Sequence, residues 1–228
     1  VDDHRPDPRT TGIVAALLLV TAVSLLLIGG SGGLHRDLST AAGFAAEREP
    51  GPVGAALVVT EIGNTAGSAV VALVTGAVLA WRGHRARGLY LAALPLVASL
   101  VFSGLKRVLD RARPPEELQF MSVANESLPS GHATMVAAVW TGVVLALWPF
   151  LARRGRTTLV ACAAVWVAAV GFTRIYLGVH WLSDVLAGWA LGAGLAFTGL
   201  TLLLLAAPPP SPGSTHGASA SPHEAEAP

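Results

Sequence analysis

The sequence predicts an all-α, polytopic membrane protein with six transmembrane helices. Of its 228 residues, 53% are hydrophobic and only 13% charged, a balance too apolar for a soluble domain to bury. Apolar stretches approaching the roughly 20 residues needed to cross a hydrocarbon core follow one another with no polar globular insert between them. Lysine and arginine gather in alternate connections, the pattern that fixes orientation in a membrane. The formal net charge of +1 offers no broad basic surface, so no nucleic-acid partner is expected.

The first stretch runs from about Gly12 to Ile28. Its apolar run is long for a signal peptide, Asp2, Asp3 and Asp7 precede it, and no A-x-A site follows, so it reads as a retained helix. The connection after it, with Arg36, Asp37, Glu47, Arg48 and Glu49, reads as an outer loop. The second stretch is Ile62 to Ala80 and the third Leu89 to Leu105; the fourth is Ala133 to Leu151. The fifth, Leu159 to Phe172, is short for a crossing and is expected to extend through Thr157 and Thr158 on one side and into Thr173-Arg174 on the other. The sixth spans Val185 to Leu205. Cys162 reads as a small core residue of the fifth helix.

Arg82, Arg85 and Arg87 fall between the second and third helices, and Arg153, Arg154 and Arg156 between the fourth and fifth. These connections are expected to be cytoplasmic, as are both termini, with Arg5 and Arg9 agreeing. Trp81 and Trp148 mark inner helix ends and Tyr176 and Trp181 outer ones. The chain divides into an amino-terminal helix and outer loop (1–58), a core (59–205) and a tail rich in Pro, Ser and Ala (206–228), which is expected to be disordered and cytoplasmic. His216 and His223 in that tail read as incidental rather than as metal ligands.

Three clusters on the outer side carry chemistry. Lys106, Arg107, Arg111 and Arg113 break the positive-inside pattern. If the third helix continues past Leu105, Lys106 and Arg113 share one face, two turns apart, and can grip one phosphate; a solvated basic helix end is the plainer alternative. Pro129-Ser130-Gly131-His132 opens the fourth helix. Its backbone N–H groups and the Ser130 hydroxyl form an anion site with His132 at the rim as a proton donor, or else an ordinary helix cap. In the third cluster, His180 and Asp184 have the i, i+4 spacing that brings side chains together on a helix. A carboxylate there fixes the imidazole tautomer and leaves the other nitrogen bare as a nucleophile, while Arg174 adds a phosphate partner. A metal held by His132, His180 and Asp184 is disfavoured, because the neighbouring cations repel it.

Lys106 with Arg113-Pro114, Pro129 to His132, and Arg174 with His180 and Asp184 resemble the K-x6-RP, PSGH and SR-x5-H-x3-D signatures of the type 2 phosphatidic acid phosphatase (PAP2) superfamily. The match has the family's order and internal spacings over about residues 60 to 205; Thr173 stands where the pattern often has serine. The resemblance implies a six-helix core and a hydrolase without metal or other cofactor. In that mechanism His180 attacks phosphorus, His132 protonates the leaving group and Asp184 supports His180. Lys106, Arg113, Ser130, Gly131 and Arg174 bind the phosphate. Arg107 and Arg111 are not signature positions and receive no role.

The substrate implied is a lipid phosphomonoester or diphosphate, such as undecaprenyl diphosphate, phosphatidylglycerophosphate or phosphatidate, met at the extracytoplasmic face of the plasma membrane. Pro115 to Leu128, with Glu116, Glu117 and Glu126, is expected to cover the site. Glu61 and Asn64 read either as cavity-lining residues or as polar residues of helix packing. Three rival functions remain: a vanadium-dependent haloperoxidase, against which six crossings argue; a lipid phosphotransferase with the same site; and a non-catalytic lipid-binding or flipping protein.

Overall fold

A computed structural model describes residues 6–34 and 36–206. Arg5, the 207–228 tail and its two histidines lie outside the described residues. Eight α-helices make up the described chain: α1 (Pro8–Gly30), α2 (Asp37–Ala46), α3 (Pro50–Ile62), α4 (Thr65–Trp81), α5 (Arg85–Leu109), α6 (Gly131–Leu147), α7 (Arg153–Tyr176) and α8 (Leu182–Ala206). Five of them, α1, α5, α6 (with its 3-10 extension to Phe150), α7 and α8, are long and apolar enough to cross a membrane. A further pair, α3 and α4, which meet at 45°, passes the same test only when taken together. The protein is thus an all-helical, multi-pass membrane protein.

Each boundary has a local cause. Asp7 caps α1 by accepting from the Thr10 backbone N–H at 3.0 Å, with Pro8 supplying the fixed φ of a first helical residue. Asn64 breaks α3 from α4: its Oδ1 accepts from Gly67 N at 2.8 Å and its Nδ2 donates to Glu61 Oε1 at 3.1 Å. Glu61 and Asn64 thus bond to each other at the break between the two helices. The connection read as an irregular outer loop instead holds α2 and α3, which lie against α7. The fifth span does extend, reaching Tyr176. Cys162 is exposed on α7, so its placement in the core is corrected.

The most enclosed span is α6, packed against α4, α5, α7 and α8. Its contact with α8 is backbone to backbone, because a Cβ at Gly192 would sit 2.2 Å from the Thr134 carbonyl oxygen; small residues permit such close approach where apolar lipid gives helices no hydrophobic reason to associate. A buried Tyr90 hydroxyl donates to the Ala196 carbonyl at 2.8 Å and ties α5 to α8. The starts of α6 and α8 and the ends of α5 and α7 are thereby held at one end of the bundle. Arg87 over the Phe150 ring (5.9 Å) and Arg156 over the Trp148 ring (5.1 Å) gather the two basic connections at the other.

Candidate active site

The site is assembled from four helix ends and one strap of chain. Lys106 lies in the last turn of α5, which stops when Asp110 takes a left-handed conformation (φ 41°). Arg113 is therefore not on a continued helical face with Lys106, as the spacing suggested; it reaches the same place from the extended segment after the helix. Its guanidinium donates to the Val179 carbonyl and lies 3.3 Å from Nε2 of His180.

His180 precedes α8 rather than lying within it, and Asp184 sits in the first turn. Their spacing still brings Nδ1 of His180 to 3.3 Å from Oδ2 of Asp184. The same oxygen accepts from the Trp181 backbone N–H at 3.0 Å and from the Ser127 hydroxyl, so Asp184 folds its own helix start around the histidine. With Nδ1–H directed at the carboxylate, Nε2 is the unprotonated nitrogen, and it faces Arg113. His180 is only 3% exposed. Burial pushes its pKa down to about 3, against the opposing pull of Asp184, so the ring is neutral at physiological pH. Burial likewise lowers the pKa of Arg113, opposed by Asp184 and Glu126.

Arg174 comes in from the end of α7 and is buried. One amino group donates to the Thr60 hydroxyl of α3 at 2.7 Å, while its Nε is buried without a hydrogen-bond partner. A buried guanidinium N–H with no acceptor is costly, so an acceptor brought to this point would relieve it. Ser130 is the N-cap of α6, accepting from Ala133 N, while its own N–H donates to the Asp184 carbonyl at 3.1 Å. Ser130 does cap the helix, with Gly131 against Phe102 and His132 one residue further, near Arg174, His180, Arg113 and Lys106.

The strap from Pro114 to Leu128 closes over these groups. Lys106 donates to the carbonyls of Glu126 and Ser127, and Arg113 to the Asn125 carbonyl (2.6 Å), Asn125 Oδ1 (2.5 Å) and the Glu126 carbonyl (3.2 Å). Arg48 pins the strap's base, donating to the carbonyls of Tyr176 (2.8 Å) and Leu118 (2.7 Å). Outside Arg113 a polar cavity of about 550 Å³ opens between Glu116, Gln119, Asn125 and Glu126.

Four site residues were given no role by the sequence: Asp37, Thr60, Arg111 and Ser127. Arg111 bridges Asp184 Oδ1 (2.5 Å) and Asp37 Oδ2 (2.9 Å). Its place in a cluster of cations that breaks the expected positive-inside pattern was a signal; Asp37 and Thr60 gave none. Among the described residues, no group of three His, Cys, Asp or Glu side chains converges as a metal site.

Residues 87–206, more than half of the chain, match the model of the PAP2 superfamily. The chain belongs to the PAP2 superfamily. It is 39% identical over 125 residues to the lipid A 1-phosphatase of Rhizobium johnstonii (49% of this chain, 47% of that protein). It is 36% identical over 99 residues to phosphatidylglycerophosphatase B of Bacillus subtilis (41% and 46%), and 28% identical over 137 residues to the undecaprenyl-diphosphatase of Sulfolobus acidocaldarius (54% and 59%). The PAP2 chain spans about half the length of the curated relatives it matches. Its fold is similar to the crystal structure of a transmembrane PAP2 type phosphatidylglycerolphosphate phosphatase from Bacillus subtilis, with a TM-score of 0.73 at 24% identity over 82% of this chain and 94% of that one.

Proposed function

We propose that this PAP2 protein is a metal-independent phosphatase of a membrane lipid phosphate or diphosphate, working through a phosphohistidine at His180. The observation that carries the reading is the orientation of His180: Nδ1 turned to Asp184, and Nε2 turned to Arg113 in a pocket it shares with Lys106 and Arg174. A neutral imidazole facing three cations suits attack on phosphorus, because phosphoryl transfer chiefly needs positioning and stabilisation of charge on the equatorial oxygens.

The substrate phosphate takes the place of the strap carbonyls on Lys106 and Arg113 and fills the empty Nε–H of Arg174. The Ser130 hydroxyl and the Gly131 backbone at the start of α6 add further donors. The Nε2 lone pair forms the N–P bond as the P–O bond to the lipid or leaving phosphate breaks, and that oxygen takes a proton from His132. The positive charge on the phosphorylated ring is held by Asp184 through Nδ1–H. Water then attacks phosphorus and loses its proton to His132, and the N–P electron pair returns to Nε2.

Two further parts of the reading are location and substrate. The basic connections near Arg87 and Arg156 lie at the end of the bundle away from His180, which supports an extracytoplasmic site and cytoplasmic termini. Relatives named for lipid A, phosphatidylglycerophosphate and undecaprenyl diphosphate share a phosphate at headgroup level on an apolar anchor. That common chemistry fits a cluster of cations set at the ends of apolar helices.

The test is phosphate release by detergent-purified protein in excess chelator from undecaprenyl diphosphate, phosphatidylglycerophosphate and phosphatidate. Release that resists chelator and disappears in His180→Ala is expected. No release from any of the three, or release unchanged by the substitution, overturns the assignment.

A further inference from the structure

Asp37, the first residue of α2, is 4% exposed and plays no part in the chemistry above. Its Oδ1 accepts from the Ser183 backbone N–H at 3.0 Å, and its Oδ2 accepts from the Ser183 hydroxyl at 2.5 Å and from Leu34 N at 2.9 Å. The same Oδ2 pairs with Nη2 of Arg111 at 2.9 Å. Nη1 of Arg111 donates to the Ser183 hydroxyl at 2.7 Å and to Asp184 Oδ1 at 2.5 Å. The arginine stacks over the Trp181 ring at 5.6 Å. A continuous line of charged contacts thus runs from α2, through Arg111 and Asp184, to Nδ1 of His180.

The charges along this line alternate. Asp184 is fully buried, and a buried carboxylate needs a partner. A guanidinium directed at Asp184 alone would hold it tightly but draw its charge away from His180. Sharing Arg111 with a second carboxylate divides that pull. Both Asp184 oxygens are then fixed in direction, Oδ1 by Arg111 and Oδ2 by Trp181 N and Ser127, while the carboxylate keeps the charge that a phosphorylated imidazole ring requires.

We propose that Asp37 and Arg111 are positioning residues of the phosphoryl-transfer site, acting through Asp184 to set the orientation and charge that Asp184 presents to His180. The inference rests on the phosphatase reading. It makes the first outer helix, which contributes no atom to the phosphate pocket, a determinant of the chemical step.

The test uses the full chain in detergent with chelator and whichever of phosphatidylglycerophosphate, undecaprenyl diphosphate and phosphatidate the wild type hydrolyses fastest. Asp37→Asn is expected to lower kcat on the order of ten- to a hundredfold, as displaced catalytic groups do, with KM within about twofold. Asp37→Glu should recover part of that loss. Acid-quenched phosphohistidine should form more slowly in Asp37→Asn, with full final occupancy. If Asp37→Asn does not fold, Arg111→Lys replaces it, since an ammonium keeps the charge without the two-sided fork. A folded variant with wild-type kcat overturns the inference. So does a loss that appears only as fewer phosphorylatable molecules with normal rates, since that reports folding alone. A wild type inert toward all three lipids overturns the phosphatase reading beneath it, a result distinguishable from both.

Discussion

Arg174 donates to the hydroxyl of Thr60 at 2.7 Å, across 114 residues of sequence. This contact holds the guanidinium in place while its Nε–H stays buried and unpartnered, so in the proposed mechanism α3 supports a phosphate-binding group from behind. Thr60→Val keeps the shape and removes the acceptor. A hydrogen bond to a charged group is worth about 1.5–3 kcal/mol, so kcat/KM should fall roughly tenfold or more, and Thr60→Ser should stay near wild type. Steady-state phosphate release from the three variants checks this.

Lys106 holds the closed strap and, in the proposed mechanism, also binds the phosphate. Lys106→Met should lower kcat on the order of a hundredfold or more, as the loss of one preorganised donor does. It should also lower the melting temperature, because the carbonyls of Glu126 and Ser127 lose their donor. Activity and thermal unfolding measured on one preparation separate the two effects.

The pH dependence of stability follows from His180. Its folded pKa is held near 3 by burial, whereas an exposed histidine titrates near 6.5. Between those values the unfolded chain binds the extra proton, so the stability associated with the neutral buried ring is present above about pH 6.5 and is lost as pH falls toward 3. The melting temperature should therefore drop between pH 7 and pH 4.5, and drop less in His180→Asn. Equal drops would show that other groups govern the acid side.

Gly178 connects α7 to the histidine in a left-handed conformation (φ 71°), and a Cβ there would lie 2.0 Å from the Leu118 carbonyl oxygen. Gly178→Ala must either strain this turn or push away the strap base that Arg48 pins. A loss of roughly 1–3 kcal/mol is expected from the backbone alone, read as a lower melting temperature, with reduced turnover because His180 follows two residues later.

Where the sequence succeeded and where it failed have different physical causes. The span read at 62–80 became α4 at Thr65–Trp81, and the short fifth span grew into α7, because apolar length is a local property that lipid selects. His180 and Asp184 meet because four residues of chain can fold only a short distance apart. Lys106 and Arg113 also converge, but not on one helical face, since Asp110 ends α5 before that face continues. The helices α2 and α3 lie in and just after the stretch read as an outer loop from Arg36, Asp37, Glu47, Arg48 and Glu49, and they pack against α7.

By itself, the sequence determined the apolar membrane helices, the order and spacing of the candidate-site motifs, and the end of the bundle to which they map. Tertiary structure alone decided that Arg111 is shared by Asp37 and Asp184, that Thr60 holds Arg174, and that the strap's carbonyls occupy the cations. Helix length and short spacings are written in neighbouring residues. A pairing such as Asp37 with Ser183, 146 residues apart, exists only once close backbone packing has brought distant helix ends together.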